Sequence, residues 1–151
     1  MDHTFLAADL FLKDCNCAQA VLVAFEDVTG MDRTLAAKLS SSFGGGMGRM
    51  REVCGAVSGM LMVAGILYGY EDPGEGDCHK KAHYELVQEL AGKFREEVGS
   101  IVCREILKNP PSDPNPTPRT EEFYKVRPCA RMVMLAAQLL EEYIAEHPLE
   151  V

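Results

Sequence analysis

The chain has no tryptophan, and aromatic residues make up only 7% of its 151 positions. β-Branched residues do not gather in alternating apolar and polar runs, so nothing marks a strand. Ala, Leu, Met, Glu and Lys supply a helix-favouring bulk. The expected fold is all-α: one domain over residues 1–151, a bundle of about five to seven helices. No basic cluster relieves the net charge of −8, which argues against a nucleic-acid surface. Met1 to Phe11 shows neither a basic n-region nor a long apolar run, so no signal peptide is read there and the expected location is the cytoplasm. There is no Cys-x-x-Cys and no βαβ pattern, which excludes a thioredoxin-like protein, and the ferredoxin cysteine spacings are missing too. Six cysteines are nevertheless present. In a cytosolic chain they point to metal or redox chemistry more than to structural disulfides.

The chain is organised around Phe43 to Tyr70. Its first half is dense in glycine, with Gly44, Gly45, Gly46 and Gly48 a few residues apart. Such a run can take positive φ and lets backbone approach another group closely. It lacks the Lys-Ser/Thr ending of a P-loop, so nucleotide binding is not expected. The second half, Val53 to Tyr70, carries no charge and reads as a central buried helix. A membrane span is the competing reading, but the run is lone, glycine-rich and set in an amphipathic chain. Gly55 with Gly59, and Gly65 with Gly69, place small residues four apart, where another helix can pack closely. Cys54 falls where loop becomes helix. The partial positive charge of a helix start lowers a thiol's pKa, and the glycines before Cys54 should leave the approach to it open. Cys54 is therefore expected to be the most reactive or most strongly ligating thiol, with Arg49 and Arg51 as supporting cations.

In order along the chain, His3 to about Lys13 reads as a helix with Phe5, Leu6, Leu10 and Phe11 inward. Asn16 and Gln19 form a capping-box pattern for a second helix, Cys17 to about Asp27. Gly30 ends it, and Asp32 caps Arg33 to Ser42, whose apolar stripe is Leu35, Ala36 and Leu39. Glu71 to Gly76 is a turn. Cys78 to Val98 is a long amphipathic helix, with His79 and His83 four apart on one face, a spacing that suits a metal although a solvated pair is the simpler reading. Ile101 to Lys108 is a short helix. Asn109 to Pro118 holds five prolines and cannot be regular structure. Glu121 to Val126 is a short amphipathic piece, and Pro128 opens a last helix to about Ala145.

Cys17, Cys54, Cys103 and Cys129 thus each fall in the first turn of an expected helix. Four such placements suggest helix starts converging on a site that favours thiolates. These residues also carry a resemblance. Asn16-Cys17-Ala18-Gln19-Ala20-Val21, Phe43 to Arg49, Cys54-Gly55-Ala56-Val57-Ser58-Gly59, Cys103-Arg104 and Cys129 together resemble the C_GCAxxG_C_C family of redox-active proteins, over nearly the whole chain. The resemblance implies a compact helical domain with a cysteine-based redox or metal role. Cys15 stands where the usual pattern has Tyr, and Cys78 lies outside it.

Two chemistries fit the four thiols. Two of them can form a reversible disulfide, or all four can bind a metal or iron–sulfur cluster whose negative charge the helix starts would offset. The sequence keeps both open, with a helical interaction module carrying inert thiols as the third reading. Whether the chain is an enzyme, an oxidoreductase, also stays open. Gly44, Gly45, Gly46, Gly48 and Gly55 are the candidate backbone contacts for a cofactor. The expected partner is an unidentified redox protein or molecule, without nucleic acid and without membrane insertion, and a homodimer is left open.

Overall fold

The computed structural model describes residues 2–71 and 77–149, without the side chains of Asp77 and Cys78. The expected turn at Glu71 to Gly76 and the role of Cys78 lie largely outside these residues. Short polar side chains start the early helices by accepting otherwise unpaired N–H groups. Asp2 accepts from Phe5 N to begin α1, His3–Leu12. Asn16 and Gln19 close the expected capping box, at 2.9 Å and 3.0 Å, on α2, Cys17–Ala24. After the single turn α3, Glu26–Thr29, Gly30 in the left-handed region breaks the chain, and Asp32 caps α4, Arg33–Ser40. Then follow α5, Gly55–Tyr68; α6, Asp77–Val98; α7, Cys103–Ile106; α8, Glu121–Val126; and α9, Cys129–Glu146. Among the described residues there is no strand, so the fold is all-α, with more helices than the five to seven expected. None of these helices is long and apolar enough to cross a membrane.

α2 and α5 form the centre. Seven of the eight residues of α2 are buried. A Cβ at Gly59 would lie 2.8 Å from Ala18 O, and one at Gly55 would lie 3.1 Å from Cys17 Cβ. These two glycines therefore let the α2 and α5 backbones touch, as their spacing suggests. Gly65 has nothing within 4 Å where a Cβ would be, and the nearest neighbours of a Cβ at Gly69 are backbone atoms of Gly65 itself, so close packing of another helix is not what this second pair serves. The far half of α5 is also less enclosed than its lack of charge suggests: Ile66 is 39% exposed. α1 and α9 lie together against this centre, and α6 packs on α5 and α9. His3 ties the α1 end down. It bonds Asp27 and Glu141 and stacks on Phe25.

Two stripes are drier in sequence than in space. Phe5 is 71% exposed, while Ala7 and Phe11 are the buried residues of α1. Leu35 and Leu39 are exposed, and Ala36 alone of that stripe is buried. Both helices are short and offer the core less than their apolar count implies.

The glycine-rich segment is the largest departure. It is not an open loop but a tight left-handed turn. Gly45, Gly46, Met47, Gly48 and Arg49 all have φ between 60° and 70°, and Arg51 joins them at 63°. Glycine takes this conformation without the penalty a Cβ brings. The turn brings Arg51 N to Gly45 O and Glu52 N to Gly46 O, at 3.2 Å and 2.9 Å. From there residues 51–54 pair with 101–104 through Cys54 N to Ile101 O, Cys103 N to Glu52 O and Arg104 N to Arg51 O, with one antiparallel bridge between Val53 and Val102. That short pairing sets Cys54 beside Cys103.

Candidate functional site

Each of the four motif cysteines stands at a helix start. Cys17, Cys103 and Cys129 are the first residues of α2, α7 and α9, and Cys54 is the N-cap of α5. All four line one internal space of about 30 Å³, room for about one water. Cys17 and Cys129 also line a larger open cleft, of about 310 Å³, while Cys54 and Cys103 do not. The arrangement is therefore two layers, an outer pair that meets the cleft and an inner pair behind it. Cys15 lines neither space; its carbonyl accepts from Arg119. These five thiols are free.

Their acidities differ sharply. The hydrogen bond to Cys129 and then burial raise Cys17 well above its ordinary value. The same hydrogen bond, from the Cys17 thiol to the Cys129 sulfur, is the largest cause bringing Cys129 down to about 7 against burial, and Arg127, Arg119 and Arg51 add to it. The Cys17 thiol keeps its proton and donates it in a hydrogen bond to Cys129, which favours the charged form of the Cys129 sulfur. Burial also raises Cys103, although Arg51 Nη1, 3.8 Å from its sulfur, opposes the rise.

Cys54 corrects the sequence reading. It starts a long helix as expected, but burial pushes its thiol up to about 12, and the Ala56 and Val57 N–H groups do not offset this. The magnitudes explain the outcome. A helix start contributes at most about 2 kcal/mol, roughly 1.5 pKa units, whereas full burial shifts a group by about 3–5 units. Nor do the glycines open a path to it. A Cβ at Gly46 would strike Cys103 Cβ, one at Gly44 would strike the Asn16 side chain, and one at Gly55 would strike Phe43 O. What these glycines make room for is protein. Gly44, Gly45 and Gly48 do border the cleft, where any backbone contact to a ligand would have to be made.

The raised Cys54 thiol has a consequence for stability. Between about 9 and about 12 the unfolded chain ionises this thiol and the folded chain does not, so its contribution is full below pH 9 and falls as pH rises toward 12. Urea unfolding at about pH 8 and about pH 10 is expected to show a smaller alkaline loss in Cys54→Ser than in the parent chain. An equal loss in both would mean that Cys54 is not shielded from water.

Sequence reading did not find the cations from the rest of the chain. Arg119 and Arg127 come from either side of α8, and with Arg49 and Arg51 they put four guanidinium groups around the cleft. Arg127 stands two residues before Cys129, which was the available local signal; for Arg119 there was none. Arg119 is held by the carbonyls of Phe11 and Cys15 and lies over the Phe11 and Phe123 rings. Arg51, 4% exposed, donates from Nε to Pro111 O at 2.9 Å. The proline-rich segment, irregular as expected, thus forms a wall of the cleft through Pro114, Pro116 and Thr117.

Among the described residues, no three Cys, His, Asp or Glu side chains are disposed to close on one ion. As placed, the four cysteines are not grouped around a single metal ion, and His79 and His83 have no third such side chain grouped with them among the described residues. His83 instead sets its ring edge-on to Tyr70, at 6.0 Å.

No curated protein and no solved structure matches the chain. A family model does, over residues 15–143, and its description is "Putative redox-active protein (C_GCAxxG_C_C)". That span takes in the Asn16 cap, the glycine turn and all four motif cysteines, and by it the chain belongs to the C_GCAxxG_C_C family.

Proposed function

We propose that the chain carries out thiol–disulfide exchange, with Cys129 as the attacking thiolate and Cys17 as the resolving thiol. The observation that carries this reading is the outer pair itself: two neighbouring sulfurs border an open cleft, and one is brought down to about 7 by the other. A thiol with a pKa near ambient pH is the best attacker, because ionised fraction and intrinsic nucleophilicity are then balanced. The Cys129 thiolate attacks one sulfur of a disulfide RSSR, forms a Cys129–SR bond and releases RS⁻. Cys17 then loses its hydrogen-bond acceptor, and its proton goes to the released RS⁻. The Cys17 sulfur attacks Cys129, the mixed disulfide breaks, and a second RS⁻ leaves. The protein is oxidised by two electrons to a Cys17–Cys129 disulfide, and RSSR is reduced to RSH and RS⁻. The inner thiols, raised by burial, stay protonated through both steps.

The test is the pH dependence of alkylation. With sub-stoichiometric iodoacetamide, Cys129 is expected to be modified first, with a midpoint near pH 7. Cys17→Ala removes the main cause of the lowering, so its midpoint is expected to move upward. First labelling at Cys54, or a midpoint unmoved by Cys17→Ala, would overturn the reading.

A further inference from the structure

The cleft holds more positive charge than its thiolate can use. Arg51, Arg119 and Arg127 act on Cys129, and one thiolate cannot balance three guanidinium groups. Arg49 is a fourth cation on the same cleft. Its Nε and Nη1 are buried and have no hydrogen-bond partner, and Nη2 reaches only Pro111 O, at 3.4 Å. None of the four is in an ion pair among the described residues, and no Asp or Glu lines the cleft. Asp113, whose carboxyl Arg49 helps hold down, is fully exposed on the proline-rich segment and lies outside the lining. In a chain of net charge −8, four arginines without an ion pair among the described residues, facing one concavity, are not a solvated surface pattern. Buried donors without acceptors carry a desolvation penalty that an anionic ligand would relieve.

Resting on the exchange reading above, we infer that this cleft takes a small disulfide flanked by carboxylates, with Arg49 binding a carboxylate while the ligand's sulfur lies over Cys129. The volume, about 310 Å³, is that of a small-molecule site. Phe11 and Phe123 give it apolar walls for the ligand's methylene groups. Guanidinium groups suit carboxylates because their donors form a planar fork.

The experiment uses the reduced full chain and three disulfides of similar size: dithiodipropionate with two carboxylates, hydroxyethyl disulfide with none, and cystamine with two ammonium groups. Each rate is divided by that of the same disulfide with a free small thiol. The expected order is carboxylate, neutral, ammonium. The first step is expected to be about tenfold, ~1.4 kcal/mol, and to shrink at high salt. Arg49→Gln is expected to bring the carboxylate-to-neutral ratio close to one, and Arg49→Lys to restore part of it. Calorimetry with adipate, a dicarboxylate without sulfur, reads the site independently of exchange; binding is expected in the parent chain and lost in Arg49→Gln. Equal normalised rates with no adipate binding overturn the inference while exchange stands. If none of the three disulfides reacts, the exchange reading falls and the disulfide ligand with it, and adipate alone then decides the carboxylate site.

Discussion

Cys129→Ser is expected to slow reaction with a small disulfide at pH 7 by at least about tenfold and to stop intramolecular disulfide formation altogether. At pH 7 a thiol with a pKa of about 7 is half ionised, whereas one at 9 or above is ~1% ionised or less, a loss of about fiftyfold. The more basic thiolates are intrinsically better nucleophiles, which restores about six- to tenfold over two pKa units. Access supplies the rest of the loss. Cys54 and Cys103 are each 7% exposed and do not border the cleft, and Cys17, which does border it, is itself buried and raised in part by that burial. Cys17→Ala is expected to fail differently. Attack by Cys129 continues, more slowly at neutral pH, but the mixed disulfide has no resolving thiol. One thiol is then released per chain in place of two, and mass spectrometry should find the adduct on Cys129. Full two-thiol release from either variant would show that the electrons come from the inner pair.

Where local chemistry decides a feature, the sequence carries it. Asn16 with Gln19 is such a case, because a capping box needs only residues three apart, and both of its bonds form. The placement of four cysteines at helix starts was legible for the same reason. Burial was not, since it depends on what packs against a helix from elsewhere. Cys54 and Cys129 occupy similar positions by sequence, yet one is driven up by burial and the other down by a neighbouring thiol 112 positions away. The pairing of residues 51–54 with 101–104 escaped because a single bridge leaves no alternation to read. Arg119 and Arg127 escaped because they reach the cleft from a segment far in sequence from Arg49 and Arg51. What a glycine run can do was visible, but not which way it would turn. Its density suggested openness, whereas consecutive positive φ values coil it into a tight support beneath the inner cysteines.

That support makes Gly46→Ala the substitution expected to cost the most stability. Gly46 has φ 70° and ψ 54°, where an L-residue carries a penalty of about 1–2 kcal/mol. There is also no space. The added Cβ would lie 2.7 Å from Cys103 Cβ, 2.8 Å from Arg51 Cα and 2.8 Å from Glu52 N. Two of these three neighbours are backbone atoms, so no rotamer change relieves the clash. Glu52 N is bonded to Gly46 O, and Glu52 O accepts from Cys103 N, so moving that segment strains the pairing that sets Cys54 beside Cys103. Overpacking of this kind costs about 1–3 kcal/mol, for a total of roughly 2–5 kcal/mol and a fall in Tm of about 5–20 °C in a chain of this length. The site should register the shift too, because Arg51 is one of the groups lowering Cys129; its alkylation midpoint is expected to rise. Gly48→Ala isolates the backbone term, since at φ 60° its Cβ meets nothing closer than Ser42 O at 3.9 Å; a loss of about 1 kcal/mol is expected. Gly65→Ala, on α5 with nothing within 4 Å, is expected to be neutral or to stabilise by about 0.5–1 kcal/mol, as alanine does in a helix. Thermal melts of the three variants give the ranking directly. A Gly46→Ala protein as stable as Gly48→Ala, with its Cys129 midpoint unmoved, would mean that the turn does not pack against Cys103 and Arg51 in this way.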